Sequence, residues 1–458
     1  MSTTPSARDL LRDRAVVALL LTTLAGTTAA LVQVTALGKQ LYDITGRDLD
    51  LGLLGLAEFL PAVVLVAVTG SVADRFDRRR IVTIGLLGEA MASGGLAWHA
   101  ATGSTETWPI YALVIAFGAA RAFVTPALRS MPPDIAPVGG LPRMIAFGSA
   151  CWQTALIVGP VLAGFLYVVS PAAPFIACVT LTGVGVLTVQ FARPRRDHTV
   201  ASPSLTGPES SALIDLGDEA RAGESLDGMA EAYAGVTGPA RGPVEAPEPS
   251  RGRLHEAFEG LRVIRANPVL LGAISLDLFA VLFGGAVALL PALAANRYGV
   301  GAVGLGWLRA ATGIGAAMVT IWLSARPINR HIGRSLYVVV ALFGVFTIAL
   351  GLTRSFAVAF VSLMLLSAAD SVSVFIRSTL VPLVTPSPSR GRVMAVEGVF
   401  LGASNELGAF ESGVAGQLLG TSGAVVFGGF ATLAVVGTWT FLFPALGRMD
   451  RFPDRPPD

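Results

Sequence analysis

Lysine is all but missing. Of 33 basic residues Lys39 is the one lysine and the others are arginine. Lys39 lies in Gly38-Lys39-Gln40, with no Ser or Thr behind it and without the glycine spacing of a phosphate-binding loop, which excludes a nucleotide-driven motor built on that motif. Cysteine is nearly as scarce: Cys151 and Cys178 fall in separate apolar runs, so neither a disulfide framework nor a zinc site is expected, and both read as small hydrophobes. Of four histidines only His99 lies in an apolar segment, near its outer end, and no Ser/His constellation accompanies it. An enzyme is therefore not expected, nor a metal or organic cofactor. Charge of either sign is thin, at 14% of residues against about 25% in soluble domains, and a net charge of +2 gives no footprint for nucleic acid.

What fills the space is apolar. Hydrophobic residues make up 53% of the chain and the mean hydropathy is +0.66, the composition of a membrane protein. Measured against the roughly 20 residues a spanning helix needs, twelve candidates emerge: 15–38, 50–72, 81–101, 109–129, 144–168, 172–192, 268–295, 303–325, 335–352, 356–380, 393–419 and 424–446. The first follows Arg8, Arg12 and Arg14 as a signal peptide would, but it is too long and no small-residue cleavage site leads into a soluble domain. The expected fold is all-α, with an N-terminal six-helix half at 1–192 and a C-terminal six-helix half at 268–447. Between them, 193–252 is rich in Pro, Gly, Ser and acids and reads as a disordered cytoplasmic linker, and 448–458 as a cytoplasmic tail. In 253–267, Leu254, Phe258, Leu261 and Ile264 recur at helical spacing among charges, which predicts an amphipathic interfacial helix.

The basic residues fall on alternate sides of these spans. With the N-terminus inside, 26 lie in inner segments and four, Lys39, Arg47, Arg297 and Arg354, in outer loops, while Arg121, Arg309 and Arg377 remain within spans. The asymmetry predicts that both termini and the linker are cytoplasmic in a multi-pass protein of the plasma membrane.

One inner loop concentrates this charge. In GSVADRFDRRR, Gly70, Asp74, Arg75, Asp77, Arg78 and Arg79 occupy the positions of Gly-x-x-x-Asp-Arg-x-(Gly/Asp)-Arg-Arg, and the loop resembles the motif of the major facilitator superfamily. Asp74 and Arg78 stand four apart, the spacing of a pair on one helical face. The corresponding loop of the second half, ARPINRHIGRSL, keeps Gly333 and Arg334 but has Arg330 in place of the aspartate. GPVLAG, with Gly159, Pro160 and Gly164, resembles the helix 5 element of exporter branches. The stretches 40–64 and 371–416 look like the enterobactin-exporter-like group, which includes drug:proton antiporters. The resemblance implies two halves of inverted three-helix repeats working by alternating access, with the charged loop as a conformational latch of the first half. It also implies that helices 1, 4, 7 and 10 line a central cavity.

Charges within spanning segments are costly and mark function by default. By depth, Arg121, Asp277, Asp370 and Glu406 lie near the middle, Glu58 and Arg309 nearer the outside, Glu89 and Glu397 nearer the inside, and Glu411 beyond the middle toward the outside. Arg121, Asp277, Asp370, Glu406, Glu58 and Gln33 are the candidates for proton coupling or the substrate cavity, whereas Arg377 and Glu397 read as a structural pair. The first span carries Gln33 where several antiporter branches carry an acid. Trp152, Phe279, Phe283 and Trp307 are candidate contacts for an amphipathic substrate. The expected activity is export of a drug- or siderophore-like small molecule by proton antiport, with the bilayer, the substrate and protons as partners and a monomer as the working unit. A facilitator or importer, and a transport-dead receptor or scaffold, are the alternatives.

Overall fold

The computed structural model describes residues 5–194 and 253–453, and the expected linker falls almost wholly outside them. Twelve long helices follow one another: α1 Arg14–Thr45, α2 Asp48–Arg75, α3 Arg78–Ala101, α4 Trp108–Ser130, α5 Leu141–Val169, α6 Ala173–Val189, α7 Pro268–Arg297, α8 Ala302–Ala325, α9 Ile332–Leu352, α10 Phe356–Val384, α11 Arg390–Leu419 and α12 Thr421–Leu442. Nine are long and apolar enough to cross a bilayer. α7 is not uniform, changing from α-helix to a 3-10 turn at Gly285–Val287 and to a π turn at Leu293–Arg297. Among the described residues there is no strand.

Helix ends follow local chemistry. Asp13, Asp77 and Asn267 cap α1, α3 and α7 by accepting from the first free backbone N–H groups, as at Ala15 N (2.9 Å), Arg79 N (2.9 Å) and Val269 N (3.0 Å). Gly46 ends α1 in the left-handed conformation that only glycine adopts without strain. α9 is the exception, for it begins after His331, at φ 55°, with no cap from its own segment. Its cap comes from the far end of the chain: His331 N donates to the Asp450 carboxylate (3.2 Å), Ile332 N to Asp450 O (3.4 Å) and Gly333 N to Met449 O (3.0 Å).

The packing repeats. In the first half α1 packs on α5 and α6, α2 on α4, and α3 on α4 and α6; in the second, the same pairings recur with each helix number raised by six. Two seams, α2 with α11 and α5 with α8, join the halves. Both are glycine-mediated at the end away from the termini: a methyl on Gly306 would stand 2.5 Å from Pro160 O, and one on Gly413 2.9 Å from Gly52 Cα. At that end the bonds Tyr42–Asn296 and Asp48–Thr421 (2.7 Å) also join the halves, through α1 with α7 and α2 with α12, and Gln153–Gly313 (2.8 Å) joins α5 to α8 at mid-helix. Toward the termini Leu60 and Val64 of α2 and Val399 of α11 are exposed. The helix Arg253–Ala266 packs on α11, with Ile264 buried against Leu270, Val381 and Val393 and Glu259 paired with Arg392. Its Leu254 and Phe258 side chains lie outside the described ones.

Candidate functional site: two buried charge clusters

The intramembrane charges gather into two groups. The first straddles the halves. Glu89 of α3, with no solvent exposure, faces Arg121 of α4, whose Nη1 lies 3.6 Å from Oε1. Glu58 of α2 is within electrostatic reach of Arg121 and of Arg309 on α8, and Glu406 of α11 within reach of Glu58. The two charges contributed by the second half are each seated on a glycine of the first. A Cβ at Gly55 would lie 2.8 Å from Glu406 Oε2, and one at Gly38 would lie 3.5 Å from the Arg309 guanidinium.

The second cluster belongs to the C-terminal half alone. Arg377 of α10 bridges Asp277 of α7 at 2.9 Å and Glu397 of α11 at 3.6 Å, and its side chain is 3% exposed. Asp370, two turns back on α10, lines with Asp277 and Ser373 a recess of about 10 Å³, at the lower limit for one water.

The predicted site residues thus separate into Arg121, Glu58 and Glu406 in one cluster and Asp277 and Asp370 in the other. Gln33 is fully buried beside the first, hydrogen-bonded to Ser93. Arg377 and Glu397 do pair, and the structure adds Asp277 to them, so Asp277 is not a free carboxylate. Glu89 and Arg309, placed by depth away from the centre, belong to the first cluster. α3 starts at Arg78, three residues before the expected boundary, which moves Glu89 to its midpoint. No depth count shows that Arg309 lies over Gly38 of another helix.

In the charged loop, the helix breaks at Phe76 and Asp77, so Asp74 and Arg78 do not share a helical face; the Gly70 and Asp74 side chains lie outside the described ones. Arg78 instead donates to Ser130 O (2.8 Å) and to the Asp134 carboxylate, tying the loop to the end of α4. Burial acts to raise the Asp77 carboxyl, but hydrogen bonds from Arg79 and the charges of Arg79 and Arg80 outweigh it and hold it below the usual carboxylate value. Arg75 is exposed, and Arg79 turns back to Asp77 at 3.4 Å.

Gly159 and Gly164 of the helix 5 element let α5 approach two neighbours. A methyl on Gly159 would meet Leu31 Cβ of α1 at 2.7 Å, and one on Gly164 would meet Ala302 O of α8 at 2.6 Å, while Pro160 offers its carbonyl to Gly306. Of the aromatics, Phe279 stacks on Trp439 (5.3 Å between centroids) and Phe283 is partly buried in the C-half core, whereas Trp152 and Trp307 are exposed. Among the described residues no group of acids, histidines and cysteines has the arrangement of a metal site.

Comparisons with known proteins agree with this architecture. The chain is 29% identical over 140 residues to macrolide efflux protein A of Streptococcus pyogenes, covering 31% of this chain and 34% of that one. It is 32% identical over 137 residues to the class C tetracycline resistance protein of Escherichia coli, covering 30% and 32%. It is also 27% identical over 125 residues to the uncharacterized MFS-type transporter YfiS of Bacillus subtilis strain 168, covering 27% and 29%. The chain thus spans about a third of the length of these curated relatives. Among solved structures, a POT family transporter in complex with 5-aminolevulinic acid superposes with a TM-score of 0.67 at 11% identity, over 95% of this chain and 97% of that one. A bacterial homologue of the human lysosomal transporter Spinster, inward-facing and unoccupied, gives 0.58 at 15%, over 95% and 96%; these likenesses speak to the fold alone. The model of the Major Facilitator Superfamily matches residues 15–405, and with the twelve helices and their six-step repeat the chain belongs to that superfamily of multi-pass membrane transporters.

Proposed function

We propose that this protein exports an amphipathic small molecule by alternating access, with protons as the coupling ion. The observation that carries the reading is the pair of seams closed at the end away from the termini, with six carboxylates and three arginines at and behind them, of which Glu89, Asp277 and Arg377 are buried and the others half-buried. Charge at that depth is costly unless paired, and pairs that are exchanged between two states supply a bistable element. Arg377 has two partners and Asp370 as a third within reach, so protonation of Asp277 or Asp370 redistributes it. Drug-like cargo is supported by the macrolide and tetracycline relatives; the likeness of 40–64 and 371–416 to the enterobactin-exporter-like group extends the class to siderophores.

With the 26-to-4 partition of basic residues, the termini are cytoplasmic and the seams close the external side, so the conformation is inward-facing. The Gly70–Arg79 loop acts as a latch on the cytoplasmic face, with Arg78 held by Asp134 in this state. The test is proton movement in proteoliposomes challenged with ethidium, erythromycin, tetracycline and a catecholate siderophore. Proton flux opposite to at least one of these, reduced at least tenfold in Asp277→Asn or Asp370→Asn, is expected. Transport that needs no proton gradient and survives both substitutions identifies a facilitator instead.

A further inference from the structure

The coupling residues proposed above lie in the second half, yet a fully buried acid with no hydrogen bond lies in the first. Glu89 has 0% exposure, and neither of its carboxylate oxygens accepts a hydrogen bond. One cation approaches, Arg121, and at 3.6 Å it stands beyond good hydrogen-bonding distance. Arg121 is itself 25% exposed and has a second acid, Glu58, within reach on α2. Ser93, one turn after Glu89, holds the amide oxygen of Gln33 from α1, and Gln33 Nε2 is left buried and unpartnered. From α6, Cys178 faces the same space with its thiol committed to Ala29 O at 3.2 Å. The charged and titratable groups around Glu89 are therefore Arg121 from α4, Glu58 from α2 and Cys178 from α6, with an uncharged amide from α1.

An ionised carboxylate without hydrogen bonds in such a place is tolerated only while a cation stays beside it. Arg121 is that cation, and it is shared. We propose that Glu89 is a second proton-carrying residue of the transport cycle, neutral when Arg121 turns to Glu58 and ionised when Arg121 closes on it. On closure the Glu89 O–H bond breaks with its electron pair kept on the carboxylate oxygen, and the proton leaves to water on the exposed side of Arg121; the guanidinium stays charged throughout. The reverse swing loads the proton again. Opening of the α2–α11 seam carries Glu406 away from Glu58, which links Arg121's choice of partner to the conformation of the whole molecule. The inference rests on the proton-coupled reading above.

Infrared difference spectra of the full-length protein in nanodiscs, titrated with pH, report the carbonyl stretch of protonated carboxyls without any substrate. A titrating band is expected that is lost in Glu89→Gln, kept in Asp277→Asn, displaced in frequency in Glu89→Asp, and larger at neutral pH in Arg121→Ala. Glu89→Asp guards against a Glu89→Gln protein that fails to fold. In proteoliposomes Glu89→Gln should also release fewer protons per erythromycin or ethidium moved. Spectra of Glu89→Gln that superpose on wild type throughout the titration overturn the inference. So does an unchanged proton count in that variant beside a wild type that moves protons, which leaves the coupled reading intact; a wild type that moves none overturns both.

Discussion

Arg377 holds two acids at once, and its removal shows what an unpaired buried charge costs. Arg377→Ala leaves Asp277 and Glu397 facing each other without compensation, a change worth about 3–5 kcal/mol when one partner of a buried pair is lost. Thermal unfolding in detergent should fall by several degrees, with part of the loss recovered in the double variant Arg377→Gln with Asp277→Asn. Asp77 presents the opposite case, since its carboxyl is 39% exposed and its contribution is screened by solvent. Its value is lowered in the folded protein, so its stabilisation is in place above the usual carboxylate range and is lost as pH falls through the depressed value. The unfolding temperatures of wild type and Asp77→Asn should therefore differ at neutral pH and converge in acid. The sequence alone showed that such charges existed and about how deep they lay. Beyond the pairing of Arg377 with Glu397 it did not show which would meet, because a shift of three residues at Arg78 recentres Glu89, and because Arg377 also reaches Asp277 of a third helix.

At the scale of helices, close approach is set by glycine. Gly306→Val places a branched side chain where Pro160 O already lies 2.5 Å from a bare Cβ position, so α5 and α8 must separate. Transport should fall at least tenfold, and a cysteine placed at Val303 should become reactive to an impermeant thiol reagent from the side away from the termini. The helices themselves were legible, because runs of about 20 apolar residues have few other uses. Their ends were less so: α2 and α3 run into the expected loop and are separated by only a two-residue break at Phe76–Asp77, which falls between Asp74 and Arg78 and removes the shared helical face their spacing suggested. The cap of α9 had no local signal at all. Asp450→Ala should cost about 1 kcal/mol, as the loss of an N-cap does, and amide exchange should speed up at His331, whose N–H the carboxylate accepts.

For the whole molecule, the two seams are one structural motif used twice, since raising α5 and α8 by six returns α11 and, counted around the bundle, α2. Closing one should therefore close both. Cysteines at Asp48 and Thr421, whose side chains meet at 2.7 Å, should form a disulfide under mild oxidation in a background lacking Cys151 and Cys178. Transport should then stop while ethidium still binds from the terminus-bearing side, and reduction should restore it. Glu89 and Asp277 lie in different halves, so the proposed proton sites are divided between the two halves. The cap of α9 carries a different consequence, one of timing. Asp450 is synthesised 119 residues after His331, a delay on the order of ten seconds at ordinary ribosomal rates. During that interval the first turn of α9 stays unfinished, and maturation of the second half waits for residues translated after its last helix, α12.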